Sequence, residues 1–250
     1  MATAMIVTMI VLLLLGFPMM VPLIAATLIG FLIYLPIPPD IMIQQMLAGI
    51  RPSALIAVPM FILAADIITK GQSADRLIDM VMRFVGHVRG GLGVATAASC
   101  TLFGAVSGST QATVVAIGGP LRPRMLKSGY SDSFTLALII NSSDIAMLIP
   151  PSIAMIIYGV VSGTSISELF IAGVGPGLLI LLLFSAYAYV YARINDIPTE
   201  PKASWNERMH AVAGAVWPLG FPLIVVGGIY GGIFSPTEAA SGCVGYAIML

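Results

Sequence analysis

Charge is what this sequence has least of. Lysine and arginine supply 11 of its 250 residues and aspartate and glutamate another 11, so only 9% are charged against 58% hydrophobic, and the mean hydropathy is +1.02. A water-soluble domain carries roughly 25% charged residues. So few cannot cover a water-facing surface, which excludes a soluble globular protein. Strand-like alternation of period two is missing, which argues against a β-barrel. The formal net charge is zero, so nothing points to a nucleic-acid partner. The only two cysteines, Cys100 and Cys243, lie far apart in apolar segments. They read as small buried residues, with no support for a disulfide or a metal site. The two histidines, His87 and His210, lie in polar flanks. A serine hydrolase using Ser107 or Ser109 would need a histidine or lysine base at the same depth, and none is offered. The segment "GGPLRPR" lacks the Gly-Lys-Ser/Thr end of a phosphate loop, so no nucleotide is expected on this chain. The first apolar run has no basic residues before it and no small-residue cleavage site, and is not expected to be a cleaved signal peptide.

What the chain does have is long apolar runs, and the fold class they imply is an all-α polytopic membrane protein. Residues 3–35 are almost continuously apolar. One straight helix of that length would reach about 50 Å, against a hydrocarbon core of about 30 Å. Gly16, Pro18 and Pro22 interrupt it, which predicts two short transmembrane helices; one kinked helix is the alternative. "PIPPD" closes this block, and residues 40–50 are mildly amphipathic. A span follows over 53–69. Over 72–89 the apolar residues Leu77, Met80, Val81, Phe84 and Val85 recur at helical spacing, opposite Asp75, Arg76, Asp79 and Arg83. That pattern predicts an amphipathic surface helix.

Between Arg89 and Arg122 lie about 30 apolar residues broken once, at "SGST", Ser107 to Thr110. A single crossing would put the basic groups Lys70–Arg89 and Arg122–Lys127 on opposite sides, which the positive-inside rule disfavours. Turning back at the break puts both on the cytoplasmic side. Each arm is then ~21 Å long, enough to pass mid-membrane without crossing. Residues 91–122 therefore read as a re-entrant helical hairpin with its tip at "SGST"; a single helix with a small-residue packing motif is the rival. Irregular backbone at that depth is tolerated only where it lines a cavity or is buried in protein.

Residues 132–164 form a second interrupted run, broken by Asn141, Ser142, Ser143 and Asp144 and then by Pro150-Pro151, a pair that cannot continue a helix. It reads as a broken transmembrane helix. A short connection over 165–170 and a span over 172–192 follow. A polar linker, "NDIPTEPKASWNERMH", comes next, then a span near 211–232 and a last apolar run opened by "SPTEAAS", where Ser235 and Glu238 suit a capping box. A Gly/Phe/Pro turn followed by a small-residue helix occurs in both "LLGFPMMVPLIAATLIGFLIYL" and "GGIFSPTEAASGCVGYAIML". This echo suggests an inverted repeat: the first over residues 1–205, with 206–250 beginning a truncated second.

Taken in order, "GHVRGGLGVATAASCTLFGAVSGSTQATVVAIG", "RPRMLKSGYSDSF", "LIPPSIAMIIYGVVSGTSISELFIAGVGPGLL" and "GGIYGGIFSPTEAAS" resemble the large membrane subunit of tripartite ATP-independent periplasmic (TRAP) transporters, nearly end to end. The resemblance implies an elevator-type, sodium-coupled secondary transporter in the bacterial inner membrane. It implies as partners a small TRAP membrane subunit and a soluble periplasmic substrate-binding protein, and as substrate an organic acid carrying a carboxylate. A sodium-coupled anion carrier of the same hairpin architecture, working without a binding protein, is the alternative. The family's large subunit is longer and holds a second hairpin, for which this chain has no counterpart. Asp144 also stands where a small or hydroxyl residue is commoner.

The two breaks supply the site candidates. Sodium prefers oxygen ligands, and unwound backbone exposes carbonyls. By resemblance one Na+ is placed between the breaks, on carbonyls of Ser107, Ser109, Ala146, Ile149 and Pro151. Half-helices starting near Ser109 and Ser152 point positive dipole ends at the membrane centre, which favours an anionic group. Ser107, Gly108, Thr110, Gln111, Asn141, Ser143 and Asp144 are the substrate candidates. An intramembrane carboxylate is functional by default. Asp144 is expected in the same cavity as the hairpin tip, either assisting a cation or a proton or capping the broken helix. Asp66, nearer the cytoplasmic end of its span, is left out of the site. For the hairpin, the expected outcome is that Arg89→Cys and Arg124→Cys both react with a membrane-impermeant thiol reagent from the cytoplasmic side only. Labelling of one from each side would replace the hairpin with an ordinary span.

Overall fold

A computed structural model describes residues 1–35 and 38–249. The turn expected at Pro36 and Ile37 and the terminal Leu250 lie outside the described residues. Among the described residues every regular element is helical: α1 (Ala2–Leu14), α2 (Met20–Tyr34), α3 (Pro39–Ile50), α4 (Ala57–Thr69), α5 (Ser73–Val85), α6 (Gly91–Ser107), α7 (Thr110–Lys127), α8 (Asp132–Ser143), α9 (Ile153–Ser162), α10 (Ile166–Ile194), α11 (Trp205–Tyr230) and α12 (Pro236–Met249), with single 3-10 turns at Ser53–Ile56 and Asp144–Met147. α10 and α11 are each long and apolar enough to cross a bilayer, while α1, α2, α6 and α9 are apolar but shorter.

The chain divides into two compact units, Met1–Pro52 and Ser53–Leu250. In the first, the chain reverses at Gly16, whose φ of +80° is the left-handed conformation that only glycine adopts without strain. α1 and α2 then pack antiparallel. Pro22, Ala26 and Gly30 form the buried stripe of α2, and Gly30 leaves room for the Met5 thioether, which a Cβ there would meet at 2.8 Å.

The second unit is built around α6. All of its residues are buried except the half-buried Val94, Ala98 and Leu102. Two of its hydroxyls enter the core by bonding back within the helix, Thr96 to the Leu92 carbonyl at 2.8 Å and Thr101 to the Ala97 carbonyl at 2.9 Å, which removes the cost of an unpaired polar group, while the Ser99 hydroxyl is buried without a partner. One side of α6 joins a core with Leu77, Leu121, Met125 and Phe134. Its far end, at Val106, joins a second core with Phe61, Ile156, Phe170 and Phe221 from α4, α9, α10 and α11.

α5 is amphipathic as expected within 72–89, with Asp75, Arg76, Asp79 and Arg83 exposed, but its buried face is rotated. It packs lengthwise against α6 and α11, so its buried residues are Leu77, Ile78, Val81 and Met82. Phe84, expected on the apolar face, is left on the flank with the Arg208 guanidinium 5.7 Å from its ring centre. The connection expected over 165–170 is instead helical from Ile166, because the Ser165 hydroxyl accepts from the Glu168 amide. The polar linker also ends sooner. Ser204 and Glu207 make a full capping box that starts α11 at Trp205, and these bonds hold the Glu207 carboxyl below its ordinary pKa. The capping box expected at Ser235 and Glu238 is present, with the Ser235 amide donating to Glu238 Oε2 at 2.7 Å. α11 and α12, read from sequence as the start of a second repeat, pack in the same unit as α4 and α5.

Close helix approach in this unit depends on missing side chains. A Cβ on Gly93 would lie 2.9 Å from the Ala188 Cβ of α10. Gly93→Val should therefore lower thermal stability in detergent by roughly 1–3 kcal/mol, the usual range for overpacking. Gly119→Ala on α7, where a Cβ meets nothing within 4 Å, should be neutral or slightly stabilising.

Candidate functional site at the hairpin tip and the proline break

α6 and α7 form a helical hairpin. The Thr96 hydroxyl, near the start of α6, lies 3.3 Å from the Met125 sulfur near the end of α7, so the two arms run antiparallel along their length. The reversal takes two residues. Gly108 caps α6 with φ +60°, its amide bonded to the Gly104 carbonyl at 2.8 Å. Ser109 is extended and caps α7, accepting from the Ala112 amide. Inside the turn the Ser107 and Thr113 hydroxyls share a hydrogen bond of 3.0 Å. Thr113 is fully buried and Ser107 nearly so.

The second break follows from proline chemistry. Proline has no N–H, so Pro150 and Pro151 cannot donate to the carbonyls of Ala146 and Met147 four residues back. The Leu148 and Ile149 amides both turn to the Ile145 carbonyl, at 2.9 and 3.1 Å. The Pro150-Pro151 bond is cis. Helix resumes at Ile153, capped by the buried Ser152 hydroxyl, which accepts from Met155.

The fold brings the two breaks together. A Cβ on Gly104 would lie 2.7 Å from the Ala146 Cβ, and one on Gly108 would lie 2.6 Å from the Pro151 carbonyl oxygen. On the far side, Gly173 and Gly177 of α10 take up the Leu148 carbonyl and the Ile149 side chain. Among the described residues no hydrogen-bond donor reaches the carbonyls of Ser107, Ala146, Ile149 or Pro151. The Ser109 carbonyl is different. It accepts from the Thr113 amide at 3.1 Å and the Thr113 hydroxyl at 2.9 Å, so its lone pairs are already engaged. Neutral carbonyl oxygens free of donors, backed by a glycine surface, suit a hard monovalent cation. Among the described residues no group of three or more histidine, cysteine, aspartate or glutamate side chains offers an alternative metal site.

The substrate candidates scatter more widely. Thr110 sits at the tip, its hydroxyl oxygen buried without a partner. Gln111 is exposed beside it and accepts from the Ser109 hydroxyl at 3.2 Å. Asn141 and Asp144 lie exposed on the outer face of α8 and the following turn, the Asn141 amide donating to the Ala137 carbonyl. Ser143 faces the other way. It is fully buried and donates to the Ile139 carbonyl at 2.7 Å, so its hydroxyl is held inside the core. The pocket that opens at the tip, about 290 Å³, is lined not by Asp144 but by Asp66 and Thr69 of α4, with Ser107, Ser109, Ala112 and Ile153. The sequence reading missed Asp66. Nothing local marks it, because its meeting with the tip spans some forty residues of chain.

Ion pairs fix the other end of the hairpin. Arg122 grips Asp132 at the start of α8 through two bonds of 3.0 and 3.1 Å. Arg124 reaches Glu200 of the polar linker at 2.7 Å, and the Glu200 amide donates to the Gly86 carbonyl at 3.2 Å.

A helical hairpin whose tip meets a proline-broken helix, both held in an apolar unit, is the architecture of a polytopic membrane protein. Comparison with known families gives the same class: residues 6–250 match the DctM component of the tripartite ATP-independent periplasmic transporters, and the chain belongs to this family. It is 71% identical over 252 residues to the ectoine/5-hydroxyectoine TRAP transporter large permease protein UehC of Ruegeria pomeroyi, and 71% identical over 252 residues to the ectoine TRAP transporter large permease protein TeaC of Halomonas elongata. Each match covers all of this chain and 59% of the relative. The C4-dicarboxylate TRAP transporter large permease protein DctM of Vibrio cholerae is 42% identical over 196 residues, 78% of this chain and 43% of that protein. The chain thus spans a little over half the length of these relatives.

The contact of Gly108 with Pro151 is open to test. Gly108→Ala places a methyl against the Pro151 carbonyl and forces a left-handed residue. It should destabilise the protein by roughly 1–3 kcal/mol, read as a lowered melting transition in detergent. Ser109→Ala, which removes one helix cap, should cost about 1 kcal/mol or less.

Proposed function

We propose that this chain is the N-terminal part of a TRAP large permease that takes up an organic acid across the bacterial inner membrane. In this reading α6 and α7 are a re-entrant hairpin entering from the cytoplasm, within an elevator-type fold of inverted repeats over residues 1–205 and from 206 onward. Membership of the family supports the reading, and so does the placement of the ion-paired basic residues Arg122 and Arg124 at the base of the hairpin, away from its tip. A small membrane subunit and a periplasmic binding protein are the proposed partners. The two relatives at 71% identity make an ectoine-type solute the proposed cargo: a carboxylate joined to a cyclic amidinium.

The observation that carries the coupling is the set of donor-free carbonyls at Ser107, Ala146, Ile149 and Pro151. They are the proposed Na+ ligands, with the engaged Ser109 carbonyl contributing less. Bound there, sodium would supply positive charge that joins tip to break. The chain's own part is to keep those oxygens unpaired and to hold the positive ends of α7 and α9 nearby. Asp144 remains a proposed auxiliary group on the outer face of α8.

A backbone ligand is tested by giving it a competing donor. Pro150→Ala restores an N–H that can bond the Ala146 carbonyl. In the complete permease reconstituted with its partners, the sodium concentration for half-maximal uptake should rise about tenfold, roughly 1.4 kcal/mol, while Ser109→Ala should change it little. Uptake that persists unaltered when potassium replaces sodium would overturn the coupling, and an unchanged sodium dependence in Pro150→Ala would overturn the ligand set.

A further inference from the structure

The pocket at the hairpin tip is lined by one member of a charged pair that the carbonyl site does not use. Asp66 lines the pocket together with Ser107, Ser109 and Ile153, and its Oδ2 lies 2.8 Å from Lys70 Nζ. The pair is not on the face where the other basic residues gather. α5 follows directly, 13 residues or ~20 Å of helix, and packs against α6 on its way to the turn at Gly90 that begins the hairpin. Asp66 and Lys70 therefore stand level with the tip, while Arg89, Arg122 and Arg124 mark the base. In the re-entrant reading the tip lies near mid-membrane, where charges are expensive and mark solute or ion pathways. This pair is also open. The Asp66 side chain is 56% exposed and makes no other ion pair among the described residues.

An ion pair and a zwitterion are complementary. A solute with one negative and one positive group can exchange partners with the pair, so that its cation takes the aspartate and the lysine is released. A dianion gains nothing at the aspartate and is repelled by it. The opposite wall suits the solute's anionic end, since the first turns of α7 and α9 meet the pocket at Ala112 and Ile153, though the carboxylate on α4 is what sets this pocket apart from a simple anion site.

We propose that Asp66 contacts the cationic group of a zwitterionic carboxylate in the tip pocket and selects such solutes over dicarboxylates. This rests on the reading of the chain as part of an organic-acid permease. Lys70 holds the aspartate only until the solute arrives.

The test uses the complete permease in liposomes with its small subunit and binding protein, a sodium gradient and radiolabelled ectoine at saturating loaded binding protein. Asp66→Asn should lower the uptake rate at least fivefold, Asp66→Glu should recover most of it, and Lys70→Gln should leave it within twofold. The melting transitions of all three should match the unsubstituted protein, because the pair lies at a surface. Unchanged uptake in Asp66→Asn, with the unsubstituted permease active, would overturn the role of Asp66 and leave the transporter reading intact. Equal losses in Asp66→Asn and Lys70→Gln, or losses that follow a lowered melting transition, would make the pair structural and overturn the proposal too. No ectoine uptake by the unsubstituted permease would overturn both readings.

Discussion

A buried carbonyl without a donor costs about 1–3 kcal/mol, and the segment between Asp144 and Ser152 contains several. The rest of the second unit is arranged around that constraint. Pro150 and Pro151 remove the amides that would have satisfied Ala146 and Met147, and the backbone there must be enclosed by surfaces that approach without clashing. α6 provides one with Gly104 and Gly108, and α10 another with Gly173 and Gly177. Small residues along α6 serve two close approaches: Gly93 lets α10 in at Ala188, and Gly104 lets the helix reach the break at Ala146. The hairpin turns at Gly108 because a left-handed residue is needed where the chain passes the Pro151 oxygen.

Polar groups are distributed by the same economy. Several hydroxyls inside the unit, those of Thr96, Thr101 and Ser143, bond to a carbonyl of their own helix, which offsets the cost of burying them. Ion pairs gather at the base of the hairpin, where Arg122, Arg124 and Arg83 meet Asp132, Glu200 and Glu207. All are substantially exposed, so each contributes little stability by itself, ~0–1 kcal/mol. Their role is geometric. Through Glu200 they tie the linker before α11 to the turn before α6 and to the last turns of α7. The base is thus clamped by polar contacts between elements, while the tip meets the proline break through close packing of Gly104 and Gly108.

Much of this was legible along the chain. The scarcity of charge identified a membrane protein, the flanking basic residues and "SGST" marked the hairpin, and the proline pair marked the broken helix. Each is a local signal, set by φ freedom, a missing N–H or a run of apolar residues. Local signals were also overlooked: Ser165 with Glu168 and Ser204 with Glu207 have the spacing of helix starts, and they lengthen α10 and α11 beyond the apolar runs. Helix ends follow capping rather than hydropathy, because cap hydrogen bonds satisfy orphan amides whatever the side-chain polarity.

The sequence by itself determined the helical class, the two breaks and the carbonyls left unpaired, because those depend on which residues have an amide or tolerate a left-handed φ. Only the tertiary structure decided what the breaks face. It set Gly104 on Ala146 and Gly108 on Pro151, turned Ser143 into the core and Asp144 out of it, filled the lone pairs of the Ser109 carbonyl from Thr113, and carried Asp66 to the hairpin tip. Those outcomes depend on helix rotation and on contacts between residues distant in sequence. A helix presents every residue to some direction, and its own sequence does not say which neighbour will stand there.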